Sequence, residues 1–590
     1  MAGSALRLLI DVYGAKGDGV TNDSTAIQNY FNSLNDGDFA FIPSGIYLYD
    51  SLNLNKSIII LGTGTLKLIN NAAVGKININ ANNIQIYNLK LDGNKANNTL
   101  GTAFSIKNVS GITIENTHIH HFKYYGIYCE NSSYNNFYNN IIEHIGDGLH
   151  DDGIRNNQFT TSAIGFFKVV NNCIVEKNII NNPSSFGIGF LLSSGSNNRI
   201  AKNTITNSSW IGIGQQFCTN HFLTDNTILN CYDNGIDLQK CPKSVVKNNI
   251  LKDNGTAPAG SSGSGANFFW GSDTSDVVDG LIFQGNILTK SNGFTGKITN
   301  AQFFANNPNY MAKNITVKGN QFINGEVGFV NCQNTKCIDG NIFNNVLIFG
   351  TGIKSLDVNN NIFDNCPSLE IRDFINGFHI SKNQFITCGS TVTPFAIYSR
   401  ADGYHSKADI KITENKFVLS ANRIGLLKME TGQGFSTVQF NNNSIDASTI
   451  TIDTILLSTL IDIPQNYLEC LGNKLKFSPD GGWNVNDSLM DLFFAKTNTN
   501  ILSINPLQGF TKILVFNMSI GSGTGFTRVG VFDIIKRKHP WMSQLIMVNE
   551  VTDTSNEFTA STNNNTVTIT ATTAGNKGFY GIMISHTETV

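Results

Sequence analysis

Residues 174–229 read IVEKNIINNPSSFGIGFLLSSGSNNRIAKNTITNSSWIGIGQQFCTNHFLTDNTIL. Three copies of one pattern, apolar, any, any, Asn, any, apolar, are centred on Asn178, Asn203 and Asn226. Around each copy apolar residues alternate with polar ones and are mostly β-branched, the period of a half-buried strand rather than of a helix. The pattern continues outward: FYNNII at Asn140 upstream, then VVKNNI at Asn248, FQGNIL at Asn286, VKGNQF at Asn320, IDGNIF at Asn341, VNNNIF at Asn361, ISKNQF at Asn383, ITENKF at Asn415 and FNNNSI at Asn443. The basal spacing is about 20 to 25 residues, with longer intervals where segments are inserted.

One copy cannot bury its apolar face alone, whereas stacked copies share a continuous core. A second strand recurs between the motifs: GIYC at Gly126, GIGF at Gly187, GIGQ at Gly212 and GIDL at Gly235. Asparagine offers a donor and an acceptor and tolerates left-handed backbone, so one per coil predicts a stacked ladder of structural residues. Leucine-rich and helical repeats share this period, but no helical stretch of sufficient length fits within a coil. The expected fold is all-β: a single-stranded, right-handed parallel β-helix. A chain of 590 residues exceeds a single compact core, which agrees with a solenoid.

The composition agrees. Charged residues are 14% against a norm of about 25%, yet mean hydropathy is only -0.09, so an uncharged polar surface is expected. Forty Phe, 16 Tyr and only 11 Pro suit strands. A net charge of -2 excludes a basic stripe for nucleic acid and a polybasic membrane anchor. No apolar run predicts membrane insertion, and the start Met-Ala-Gly-Ser does not read as a secretory signal. The ten cysteines follow no metal or disulfide spacing and read as reduced core residues; Cys218 and Cys241 should stack in successive coils. His118, His120 and His121 do not suggest zinc, because His120 and His121 should point to opposite faces of a strand. No metal and no cofactor is expected.

Near the N-terminus, YGAKGDGVTNDSTAIQ (13–28) is followed by IPSGIYLYDSLNLN (42–55) and LGTGTLKL (61–68). Asp23 or Ser24 should cap a short helix whose Ala26, Ile27, Tyr30, Phe31 and Leu34 plug the open end of the core. These runs resemble the opening of the pectate-lyase-like β-helices of bacteriophage tailspikes, the capsular polysaccharide depolymerases. The likeness is close over about 60 residues, and the coil repeat extends it to about residue 470. The resemblance implies a homotrimer on the virion tail that binds and cleaves a bacterial surface polysaccharide. It also implies attachment to the phage tail or baseplate through a missing or very short N-terminal region. In that family the opening run is architectural, so Asp18 and Asp23 are not taken as catalysts.

The expected domains are a linker over 1–10, a cap with opening coils over 11–110, the central β-helix over 111–473 and an antiparallel β-sandwich over 474–590, for trimerisation or carbohydrate binding. Stacked rungs place outward carboxylates about 4.8 or 9.6 Å apart, separations that suit retaining or inverting glycosidases. The segment HIGDGLHDDGIRNNQF (144–159) concentrates Asp147, Asp151, Asp152, His150 and Arg155. Aligning the second-strand glycines puts Tyr128, Gly189, Gly214 and Asp237 in one outward column and Glu130, Leu191, Gln216 and Gln239 in the next, with a glycine-floored groove between. Glu130 and Asp237, three coils apart on this alignment, each need a nearer partner: Asp147, Asp151 or Asp152 for Glu130, and Asp233 for Asp237.

Candidate catalytic residues are therefore Glu130, Asp147, Asp151, Asp152, Asp233 and Asp237. Candidate substrate contacts are Tyr128, His150, Arg155, Lys168, Trp210, Gln216, Tyr232, Gln239 and Trp270, the aromatics because their faces stack on sugar rings. Three further insertions, near Lys252–Gly265, Thr289–Asn300 and Ile386–Pro394, could wall the groove. Endo-hydrolysis by an acid pair is the leading reading. The alternatives are a lyase acting by β-elimination and a non-catalytic receptor-binding fibre or adhesin.

Overall fold

The recurrence of asparagine has its cause in a two-residue turn. Strand Asn136–Tyr138 leads through Asn139 and Asn140 into strand Ile141–Glu143. Asn139 takes left-handed backbone, as do Lys177, Lys202, Asp225 and Asn248 at the same place in later coils. The residue after each is the buried ladder amide, so the two jobs expected of one asparagine are divided between neighbours. For the same reason Asn249, not Asn248, is the ladder residue of its coil: Asn248 makes the turn and Asn249 is fully buried.

In the computed structural model the backbone is described from Tyr13 to Ala447, apart from residues 148–160, 192–194, 259–264, 273–277, 307–310, 373–376, 391–394, 400–407, 421–424 and 430–434; beyond 447 only strands are described. The chain is nearly all strand, with one α-helix among the described residues, Ser24–Asn32. Each coil carries three short strands, and each strand pairs in parallel with its counterpart one coil on, the arrangement of a right-handed parallel β-helix. Thr113–Glu115 pairs with Asn136–Tyr138, His118–His120 with Ile141–Glu143, and Tyr125–Glu130 with Ser162–Phe167.

Two compact units are present, Met1–Asn331 and Cys332–Val590, a division that falls inside the expected central helix. In the first, the ladder runs Asn140, Asn178, Asn203, Asn226, Asn249, Asn286, Asn320. After Asn140, which accepts from Thr117 N–H, each side-chain oxygen accepts from the asparagine before it, as at Asn203, which receives the backbone N–H and the amide of Asn178 at 3.0 and 2.9 Å. The other amide hydrogen returns to a strand carbonyl of the preceding coil, Val175 in the case of Asn203. These amides are buried yet satisfied, which is why the core tolerates them.

In the second unit a ladder of the same kind links Asn341, Asn361, Asn383, Asn415, Asn443 and Asn473. Two residues after the ladder asparagine, Phe343, Phe363, Phe385 and Phe417 stack with centroids 5.0, 4.6 and 4.9 Å apart. Further on the pairing becomes antiparallel. Met490–Phe494, Gly509–Ser519, Thr527–His539, Met542–Asp553 and Lys577–His586 form one sheet, and Ile501–Ile504, Phe558–Asn563 and Thr566–Ala571 a second.

The N-terminal helix buries Ile27, Tyr30 and Phe31 as expected, with Leu34 just beyond. Asp23 precedes it but makes no side-chain cap; its carboxylate accepts instead from Lys16 and Gly17 N–H at 2.7 and 3.1 Å. Asp18 folds onto Val20 and Thr21, whose hydrogen bonds hold its carboxyl down at about 2. Both aspartates are therefore architectural. The nine described cysteines are buried thiols, Cys218 and Cys241 among them. No helix among the described residues is long and apolar enough to cross a membrane.

Candidate functional site

The third strand of each coil alternates one inward column with outward ones. Tyr128, Gly165, Gly189, Gly214 and Asp237 pair in sequence along one outward column. Strand Ser162–Phe167 occupies a rung absent from the sequence alignment, because Ala163 replaces the marker glycine. Tyr128 and Asp237 are therefore four coil steps apart, not three, or about 19 Å.

The glycine floor is roofed rather than open, from Gly165 to Gly214. A side chain at Gly165 would meet Phe167 at 3.0 Å and Tyr125 at 3.2 Å, and one at Gly214 would lie 2.5 Å from the Phe186 ring. Phe186 thus lies over Gly214 and, with Leu191 and Ile211, forms an apolar cluster against which Trp210 and Phe167 pack. The Phe186 and Trp210 rings are 4.7 Å apart.

Above this shelf opens a cleft of about 280 Å³ lined by Phe186, Leu191, Trp210, Ile211, Gly214, Gln215, Gln216, Asp237 and Gln239. Its polar wall is a directed chain. Gln216 donates to Gln239 at 3.4 Å, Gln239 donates to Asp237 Oδ2 at 3.3 Å, and Asn234 donates to the same oxygen at 2.8 Å. Asp237 is 5% exposed, a carboxylate held by amides at the base of an apolar-walled recess. One side of the cleft can pack on the apolar face of a ring, and the other can exchange hydrogen bonds with hydroxyls.

Four expected site residues, Trp210, Gln216, Asp237 and Gln239, meet here. Glu130 does not: Lys107 at 3.1 Å, Lys168 and the Tyr128 hydroxyl at 2.8 Å surround it, and chiefly the Lys168 contact holds its carboxyl down at about 2. So firmly ionised a group does not donate protons near neutrality, and Glu130, Tyr128 and Lys168 form an ion-paired cluster. Trp270 is a clear correction. It pairs with Leu238 in the inward column, is fully buried, and donates its indole N–H to the Cys241 carbonyl at 3.0 Å. No ligand outside the coil reaches it.

Asp233 accepts from Gly265 N–H at 2.7 Å and so anchors the insertion that follows Asp253. Tyr232 is 37% exposed at the same turn and does not line the cleft. Asp147 is half-buried where the acid-rich insertion leaves the coil; Asp151, Asp152, His150 and Arg155 lie outside the described residues. That insertion departs from the turn that carries Trp210 two rungs on, since Ser184 N–H bonds to Ile145 and Trp210 N–H to Ser185. Sequence reasoning missed Phe186, Ile211 and Asn234. Phe186 stands directly before the GIGF marker and was legible there as a strand residue.

Residues 149–308, which include the cleft, match the family described as a right handed beta helix region. No curated protein matches the chain. Among solved structures, the surface adhesin PfbA of Streptococcus pneumoniae is similar at 14% identity over 73% of this chain and 99% of its own, with a TM-score of 0.36. The Dettilon tailspike protein shares 10% identity over 97% and 93%, TM-score 0.39. The family 28 exopolygalacturonase of Yersinia enterocolitica shares 12% over 60% and 76%, TM-score 0.37.

Proposed function

We propose that this protein is a homotrimeric phage tailspike that binds a bacterial surface polysaccharide in the Phe186–Trp210–Asp237 cleft and cleaves it internally by hydrolysis. The observation that carries this reading is the facing of an apolar ring shelf and an amide-held carboxylate within one recess. Asp237 supplies one carboxylate. We assign the second carboxylate to Asp151 or Asp152, in the acid-rich insertion that follows Asp147.

A receptor-binding fibre that does not cleave is the second reading, favoured by the single carboxylate among the described lining residues. Incubating the full chain with capsular and lipopolysaccharide chains from many strains separates the two. New reducing ends on at least one polymer are expected, with Asp237→Asn lowering turnover by about 100-fold or more while binding persists. Trp210→Ala should weaken binding about tenfold. Binding without shortening would select the fibre, unsaturated uronate ends would select the lyase, and absence of both binding and cleavage would defeat all three.

A further inference from the structure

The second strands of three successive coils, Lys90–Asp92, His118–His120 and Ile141–Glu143, pair in register, so Asp92, His120 and Glu143 form one column. A continuing strand would send His121 to the opposite face. The strand instead ends at His120, and His121 takes left-handed backbone with φ 56. The turn swings the two imidazoles together, with Nδ1 atoms 2.8 Å apart. Asp92 Oδ1 is 3.8 Å from His120 Nδ1, and one ligand atom from each of Asp92, His120 and His121 lies within 4.8 Å of the others. The opposite-face expectation therefore fails at the turn.

The surroundings hold these groups in place. Asp92 pairs through its other oxygen with Lys67 at 3.1 Å, and its Oδ1 also accepts from Asn94 N–H at 2.8 Å. The His144 ring stacks on His121 at 5.0 Å, at the equivalent turn one coil on. Lys95 fastens that neighbouring turn by donating to the His144 and Gly146 carbonyls at 3.0 and 2.6 Å. His118 bonds Glu143 at 2.9 Å, so neither of those two belongs to the cluster.

Two imidazole nitrogens this close share either one proton or one metal ion, and a carboxylate oxygen on the same side favours a cation. We propose that Asp92, His120 and His121 bind a borderline divalent transition-metal ion of the Zn²⁺ class. Two nitrogen donors and one oxygen donor select such ions over Ca²⁺ and Mg²⁺, which prefer all-oxygen sites. Three protein ligands leave a position for water. The site is on the second-strand face, apart from the cleft, and does not depend on the polysaccharide reading.

The full chain, stripped with chelator, should take up one equivalent of Co²⁺ by calorimetry, with a visible absorption band that Zn²⁺ abolishes and Ca²⁺ does not. His121→Asn should weaken uptake by at least about tenfold. It is a mild change, since Asn182 and Asn207 hold the same left-handed place in later coils. If that variant does not fold, Asp92→Asn replaces it with the same expected loss. His379→Ala, at an exposed histidine beside Asp357, should leave uptake unchanged. Absence of saturable Co²⁺ uptake, uptake indifferent to His121→Asn or its replacement, or an equal loss in His379→Ala would each overturn the site and leave a histidine–histidine hydrogen bond.

Discussion

Between its first and second strands a coil turns in two residues, such as Asn139 and Asn140. Between its second and third strands it takes residues 144–161 in one coil, 182–185 in the next and 230–235 two coils further on. The first corner is closed by an amide that must satisfy the coils on both sides, so an added residue would unpair three neighbours at once. The second is closed mostly by single backbone hydrogen bonds, such as Ser209 to Pro183 and Tyr232 to Ser208, which a longer loop leaves intact. Length varies where the closure is local, and that corner carries Trp210 and the acid-rich insertion. Where it holds a large insertion, buried polar groups reappear: Asn254, Asn267 and Asn300 form a short ladder, and Lys290 donates to the Asn254 carbonyl and to that of Gly265 at 3.4 Å.

The comparison breaks first at Asn203. Asn203→Ala leaves the backbone N–H of Asn178 without its acceptor and takes a donor each from the Asn226 oxygen and the Val175 carbonyl, and should cost roughly 3 kcal/mol in urea unfolding. Ser209→Ala, at the open corner of the same coil, should cost less than about 0.5 kcal/mol. Comparable losses would mean that the two corners are closed equally firmly.

Lys290 sharpens the contrast through pH. Burial lowers its pKa to about 7, only partly opposed by Asp253, whereas an unfolded lysine titrates near 10.4. Between those values the unfolded chain binds the extra proton, so stability should rise from pH 7 toward pH 10, and as pH falls from about 10 this contribution declines and is fully lost once pH passes the folded value of about 7. Lys290→Met should flatten that rise in thermal unfolding followed across the range. An unchanged slope would show that the buried ammonium is not strained.

The smallest effect is expected at Lys202, a left-handed lysine of the tight corner whose ion pair with Glu176, at 3.5 Å, is exposed. Lys202→Gly should change stability by no more than about 1 kcal/mol, in the stabilising direction. A large loss would mean that the side chain, not the backbone turn, matters there.

The ladder was legible because few other residues can fill a buried position that needs one acceptor and two donors, so asparagine itself recurs. Its register was ambiguous only at Asn248–Asn249, where two candidates stand side by side and burial decides. Trp210, Gln216, Asp237 and Gln239 were legible as a site because glycine markers align their strands. Trp270 was not, since Phe268–Ser272 carries no marker and its inward parity follows only from pairing with Ile236–Gln239. His120 and His121 misled because strand parity holds only while the strand lasts, and one left-handed residue ends it.

The ladder also has a direction. After Asn140, whose oxygen accepts from Thr117 N–H, the side-chain oxygens of the first unit's ladder accept from the asparagine that precedes them in sequence, so the donors of one coil point to the next. A chain emerging from the ribosome therefore carries its own template at its growing edge, and each new coil can lock onto the last without waiting for distant sequence. A stack that ends after any ladder asparagine therefore ends in one unfilled pair of donors, its backbone N–H and one amide hydrogen.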